Sequence, residues 1–97
     1  MDFEAFKSSL NGAAPPPGLA PALQALWWQS KGDWHRAHRC CQDAHTEPAA
    51  WAHAYLHRVE GDLNNAGGWY RRANRTPSHA PLDSEWEEIA RTLLTAA

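Results

Sequence analysis

The feature that most constrains this chain is an internal repeat with a spacing of 29 residues. Residues 32–37 read Gly-Asp-Trp-His-Arg-Ala, and residues 61–66 read Gly-Asp-Leu-Asn-Asn-Ala. Glycine commonly ends a helix, and an aspartate after it can cap the next helix by accepting hydrogen bonds from free N–H groups. The repeat therefore predicts two copies of a helical hairpin, and it sets which residues of the copies correspond.

Small residues recur at corresponding positions of the two copies, where they allow helices to approach closely. The matched pairs are Ala25 with Ala54, Ala37 with Ala66, Ala44 with Ala73, and Pro48 with Pro77. Trp34 and Leu63 follow the two aspartates and are predicted to fill the space under each turn.

Apolar spacing extends the helical prediction to the whole chain. Phe3, Phe6 and Leu10 share one face of a helix over residues 2–10, which a proline-rich arm follows. Hairpins are predicted over about 19–45 and 48–75. A last helix begins near Asp83 or Ser84, since Ser84 and Glu87 have the spacing of a capping box. We predict a single all-α domain: helix and arm (1–18), two repeats (19–77) and a C-terminal capping helix (82–97).

The repeated frame, a small residue, Gly-Asp-x-x-x-Ala, a second alanine and then proline, resembles the tetratricopeptide repeat over residues 19–77. Its period is 29 residues instead of about 34. The resemblance implies a non-catalytic protein- or peptide-binding module whose first helices line a concave surface. The chain is also similar to small bacterial proteins of unknown function that carry the stretch His-Ala-Tyr-Leu-His-Arg, here residues 53–58.

The resemblance places Trp51, Tyr55 and Arg58 on that surface, and aromatic residues with an arginine are typical of interaction hot spots. The other interpretation is that Trp51 and Tyr55 pack under the N-terminal arm or on the first hairpin. Two repeats are few for a continuous core. We therefore expect that the terminal helices cap the stack, that two chains form a homodimer, or both.

Two histidines on the predicted third repeat helix are the best candidates for chemistry. His53 and His57 are four residues apart, which is the spacing of two zinc ligands on a helix. They correspond to Gln24 and Trp28 of the first copy, positions that pack between helices. We therefore expect a hydrogen-bonded pair and no metal or cofactor, with a metal or small-molecule site as the alternative.

A second set, His38, Cys41 and His45, also shares one helix face. Its outer members lie about 10.5 Å apart along the helix axis, too far for all three to bind one ion. Cys41 corresponds to Tyr70 of the second copy, so packing is the expected role of its thiol.

Arginines near the end of the second hairpin precede an acidic last helix. We expect ion pairs between the two groups to orient that helix: Arg71, Arg72 and Arg75 on one side, Asp83, Glu85, Glu87 and Glu88 on the other. The alternative is a site for an anion or an acidic peptide at Arg71 and Arg72.

Composition excludes several classes of function. Nine Lys and Arg residues against eleven Asp and Glu give a net charge of −2, unlike a nucleic-acid-binding domain. No apolar run approaches the roughly 18 residues of a membrane span, and the N-terminus has no signal-peptide pattern. The adjacent cysteines Cys40 and Cys41 fit a reducing compartment, so we expect a cytoplasmic protein. No activated nucleophile or phosphate loop is evident; we expect no enzyme and assign no catalytic residue.

Overall fold

The computed structural model describes residues 1–95, so the last two residues of the predicted C-terminal helix lie outside the described part. Within residues 1–95 the chain forms six helices and no strand, which confirms the all-α prediction. The helices are α1 (Phe3–Ser9), α2 (Pro21–Ser30), α3 (Trp34–Gln42), α4 (Glu47–Glu60), α5 (Leu63–Arg72) and α6 (Leu82–Thr95). In this part of the chain no helix is long and apolar enough to cross a membrane.

The two Gly-Asp turns have the same geometry. Gly32 and Gly61 have φ values of +82° and +89°, in the left-handed region that favours glycine. In both turns the aspartate N–H donates to the carbonyl five residues earlier, at 3.0 and 2.9 Å. The side chains of Asp33 and Asp62 then accept from the N–H three residues later. The predicted helix stop and helix cap are therefore both present in each copy.

The centre of the fold is α4, which packs against α2, α3, α5 and α6. All residues from Ala49 to His57 are buried. The predicted small contact positions Ala25 and Ala54 are both fully buried, so these helices approach each other closely. Because α4 is enclosed, its polar side chains must find partners within the protein.

The two terminal helices meet over one side of the repeats. The rings of Phe3 and Phe6 lie 6.1 and 5.8 Å from the ring of Trp86 on α6. The Trp86 Nε1–H also donates to the Leu26 carbonyl at 2.9 Å. Trp86 thus joins the N-terminal helix, the first repeat and the C-terminal helix.

Two local predictions are wrong. Helix α6 begins at Leu82, the first residue of the predicted range 82–97. The predicted cap at Ser84 is wrong, because Ser84 lies inside the first turn and its N–H bonds to the carbonyl of Pro81. Leu63 is 67% exposed and does not fill its turn. Trp34 does lie inward, and its Nε1–H donates to the α4 backbone at 2.8 Å.

Replacing Gly61 with alanine should lower the free energy of unfolding by roughly 1–2 kcal/mol, because an L side chain is strained at this φ. The matched control is Gly67→Ala inside α5, where a Cβ would meet nothing closer than 4.0 Å. That variant should gain about 0.5–1 kcal/mol, because alanine is the better helix former. Urea unfolding of both variants measures the difference, and effects of equal sign would contradict the assigned turn.

Candidate functional site

The predicted binding surface at Trp51, Tyr55 and Arg58 is not open. Trp51 is 3% exposed and Tyr55 is 4% exposed, and the Arg58 side chain is mostly buried. Helix α6 packs against α4, and its Glu85 bonds to Trp51 and Arg58. Trp51 and Tyr55 are therefore buried, with α6 as a packing partner of their helix, and the hot-spot interpretation is corrected.

A buried carboxylate on α6 occupies this face of α4. Glu85 is 1% exposed and accepts from Arg58 Nη1 at 2.9 Å, Tyr70 Oη at 2.6 Å and Trp51 Nε1 at 3.2 Å. Burial, together with the bond to this carboxylate, raises the pKa of Tyr70. These four residues form the glutamate network, in which the buried charge has both an ionic partner and hydrogen bonds.

The predicted ion pairs between the acidic residues of α6 and the arginines in the last turn of α5 and just after it are wrong. The guanidinium of Arg72 lies over the ring of Trp69 at 4.4 Å, and that of Arg75 lies over Trp51 at 3.4 Å. Within residues 1–95, the acidic side chains of α6 that form ion pairs do so with arginines of α4 and of α6 itself. An anion site at Arg71 and Arg72 stays a prediction.

Three histidines converge on the opposite face of α4. His38 comes from α3, and His53 and His57 come from α4; one ring nitrogen of each lies within 4.8 Å of the others. The Nε2 atoms of His38 and His53 are 3.0 Å apart. We call these three residues the tri-histidine cluster. Sequence reasoning had placed them in two separate candidate sets.

Two tryptophans hold the imidazole rings in place. Trp69 of α5 stacks on His53, with ring centroids 3.7 Å apart and planes 14° apart. Trp34 of α3 stacks on His38 at 5.0 Å and presents an edge to His57 at 5.9 Å. Stacked and edge-to-face aromatic contacts thus hold the cluster between α3, α4 and α5.

Hydrogen bonding inside the cluster is incomplete. His53 and His57 are 4% and 6% exposed, yet the Nδ1 atom of each is buried without a hydrogen bond. His57 Nδ1 lies 3.5 Å from a carboxylate oxygen of Glu60, at the outer limit of hydrogen-bond distance. An unpaired buried polar group costs about 1–3 kcal/mol. The expected His53–His57 bond is absent; their rings stack with centroids 4.9 Å apart, and His53 pairs with His38.

Burial lowers the pKa values of two of the three histidines, His38 and His53, and so favours their neutral forms. Loss of hydration, with smaller contributions from His38, His57 and Arg72, lowers the pKa of His53 to about 4. The pKa of His38 is lowered mainly by burial and next by His57. Neutral imidazole is the form that binds a metal ion.

The spacing of these nitrogens suits one metal ion. In a tetrahedral site with Zn–N bonds of about 2.0–2.1 Å, two ligand nitrogens lie roughly 3.3 Å apart. The 3.0 Å contact and the 4.8 Å limit bracket that value, so small side-chain movements would suffice.

The other candidate metal ligands do not belong to the tri-histidine cluster. His57, Glu60 and Asp62 form a second group of close ligand atoms, but both carboxylates are exposed and Asp62 caps α5. The Cys41 thiol contacts the backbone of its own helix, and burial raises its pKa to about 12. His45 is exposed and lies outside the tri-histidine cluster.

Comparison of the chain with protein-family models, curated proteins and solved structures found no match. Any assignment of function therefore depends on the geometry of the site.

The depressed pKa values predict that the metal-free protein loses stability in mild acid. The pKa of His53 is lower in the folded protein (about 4) than its ordinary value of 6.5. The unfolded chain therefore binds more protons between those pH values, and the free energy of unfolding falls as the pH falls from 6.5 to 4. The loss due to His53 reaches roughly 3 kcal/mol.

Urea unfolding at several pH values, with a chelator present, measures this loss. His53→Gln should flatten the pH dependence, whereas His45→Gln, at an exposed position, should leave it unchanged. An unchanged slope in His53→Gln would contradict the assignment.

Proposed function

We propose that this protein binds a late first-row transition-metal ion, such as Zn²⁺, through His38, His53 and His57. The observation that carries the proposal is the convergence of three imidazole nitrogens within 4.8 Å. No catalytic step is part of the proposal.

The contrast between the two faces of α4 supports a role beyond packing. On one face Glu85 accepts hydrogen bonds from Trp51, Arg58 and Tyr70, and it also forms an ion pair with Arg58. On the other face, ring nitrogens of His53 and His57 are buried without hydrogen bonds. Buried polar groups without a hydrogen-bond partner are rare in proteins, and a bound water or ion is one explanation for them.

The donor set favours particular metals. Imidazole suits Zn, Cu, Ni and Fe, whereas Mg²⁺ and Ca²⁺ prefer oxygen ligands. The carboxylate of Glu60 lies near His57 Nδ1, where it can orient the ring and leave Nε2 for the metal. Carboxylates in this position commonly support metal-binding histidines.

Titration calorimetry of untagged, metal-stripped protein with Zn²⁺ tests the proposal. We expect one ion per chain in the wild type and a loss of affinity of at least about 100-fold in His38→Ala, since loss of a supporting group alone costs 10–100-fold. His38 is half-buried, so its removal should disturb the core less than changes in α4; circular dichroism checks that the variant folds.

The matched controls are His35→Ala and His45→Ala, two exposed histidines outside the cluster. Both should bind Zn²⁺ as the wild type does. Absence of binding in the wild type, or equal affinity in His38→Ala and the controls, would refute the site.

As a second candidate function we propose binding of an apolar protein segment at a groove between α5 and α6. The observation in its favour is that Leu63 and Leu82, 67% and 38% exposed, line the same groove of about 520 Å³. Pro77 and Tyr70 extend its apolar surface. This retains the peptide-binding hypothesis but moves it away from Trp51 and Tyr55.

Selection of peptides from a displayed random library tests the groove. Selected peptides should be rich in leucine and aromatic residues and should lose at least about tenfold in affinity for a Leu63→Ser/Leu82→Ser variant, because two apolar contacts are removed. Glu88→Ser, an exposed change on α6, is the control. Selected peptides that bind both variants equally would exclude the groove.

A further inference from the structure

We infer that the fourth coordination position of the bound ion takes a small external anion that coordinates through oxygen, of the carboxylate or phosphate class. The inference rests on the proposed metal site and names what completes it.

The protein supplies three ligands. Among the described residues, the group of close ligand atoms around His38 and His53 contains three histidines and no fourth His, Cys, Asp or Glu. Structural zinc sites are almost always closed by four protein ligands, whereas sites with three leave one position for water or an external group. The tri-histidine cluster has the second pattern.

Charge determines the kind of external ligand. Three neutral imidazoles leave the full double charge of a divalent ion uncompensated in a largely buried place, which is unfavourable. Glu60 lies beside the Nδ1 atom of His57, and Glu85 is already paired with Arg58. An anion at the fourth position would provide the missing negative charge.

A nearby arginine adds positive charge on the side of α5. Trp69 stacks on His53 at 3.7 Å, and Arg72 lies over the same indole ring at 4.4 Å. The surroundings of the cluster therefore favour an anion over a neutral donor.

Burial limits the size of the ligand. His53 and His57 are almost completely buried, and His38 alone of the three is half-buried. A ligand that reaches the ion must therefore be small. Carboxylate and phosphate share the required chemistry, an anionic oxygen that binds Zn²⁺ at about 2.0–2.2 Å.

The experiment uses the full chain loaded with Co²⁺, whose visible absorption reports the ligands of a four-coordinate ion. Acetate, phosphate and acetamide are titrated separately at constant ionic strength, set with perchlorate. Acetamide matches acetate in shape but is neutral. We expect a saturable spectral change with acetate, phosphate or both, and none with acetamide over the same concentrations.

The outcomes are distinct. A response to acetate alone assigns a carboxylate, a response to phosphate alone assigns a phosphate, and a response to both assigns a general oxyanion site. A Co²⁺ spectrum that neither anion changes, or that acetamide changes equally, overturns the inference and leaves the metal site intact. Failure of Co²⁺ to bind overturns the metal site and the inference together.

Glu60→Gln tests the remaining protein donor. Because Glu60 lies beside His57, this variant should bind Co²⁺ about 10–100-fold more weakly. Once it is saturated with Co²⁺, its spectrum should respond to the anions as the wild-type spectrum does. An anion response seen only in Glu60→Gln would show that Glu60 itself fills the fourth position, which would overturn the inference.

Discussion

The structure depends on the enclosure of α4 by four other helices. A helix without a solvent face must satisfy its polar side chains inside the protein, because water cannot do so. On the side of α6, Trp51 and Arg58 meet this requirement through Glu85. On the side of α3 and α5, His53 and His57 meet it only in part, through His38 and two indole rings. This asymmetry distinguishes the face that holds the fold together from the face that we assign to function.

The two copies of the repeat share the same Gly-Asp turn but differ in the side chains between their helices. The turns have matching backbone geometry, and the 29-residue spacing of the sequence repeat gives two places in α4 a counterpart in α2. In the first copy those places hold Gln24 and Trp28, and Trp28 packs under the guanidinium of Arg36 at 4.2 Å. In the second copy they hold His53 and His57. The candidate site thus depends on two positions at which the second copy of the repeat has histidine and the first copy does not.

Much of the fold could be predicted from the sequence, because its causes are local. Gly32 and Gly61, with the aspartates that follow them, specify the turns from a few adjacent residues. The helix cap of α6 was predicted wrongly: Ser84 and Glu87 have the spacing of a capping box, but α6 begins at Leu82 and Ser84 lies inside its first turn. The resemblance to tetratricopeptide repeats stays a prediction.

The site depends on contacts between distant residues and could be predicted only in part. The i, i+4 spacing identified His53 and His57, but the third histidine, His38, lies 15 residues earlier, and only the packing of α3 on α4 brings it close. Likewise, composition alone does not show that Glu85 would be buried and would cover Trp51. A charged residue on an acidic helix is usually exposed, so the sequence offered no signal for it.

X-ray absorption spectroscopy of the zinc-loaded wild-type protein would establish whether the three histidines bind the metal, because it counts the imidazoles around the ion. We expect a coordination shell of about four nitrogen and oxygen neighbours near 2.0 Å, three of them imidazoles, and a loss of one imidazole in His38→Ala. A shell with no more than one imidazole, or a wild-type spectrum that His38→Ala leaves unchanged, would contradict the assignment of the tri-histidine cluster as a metal site.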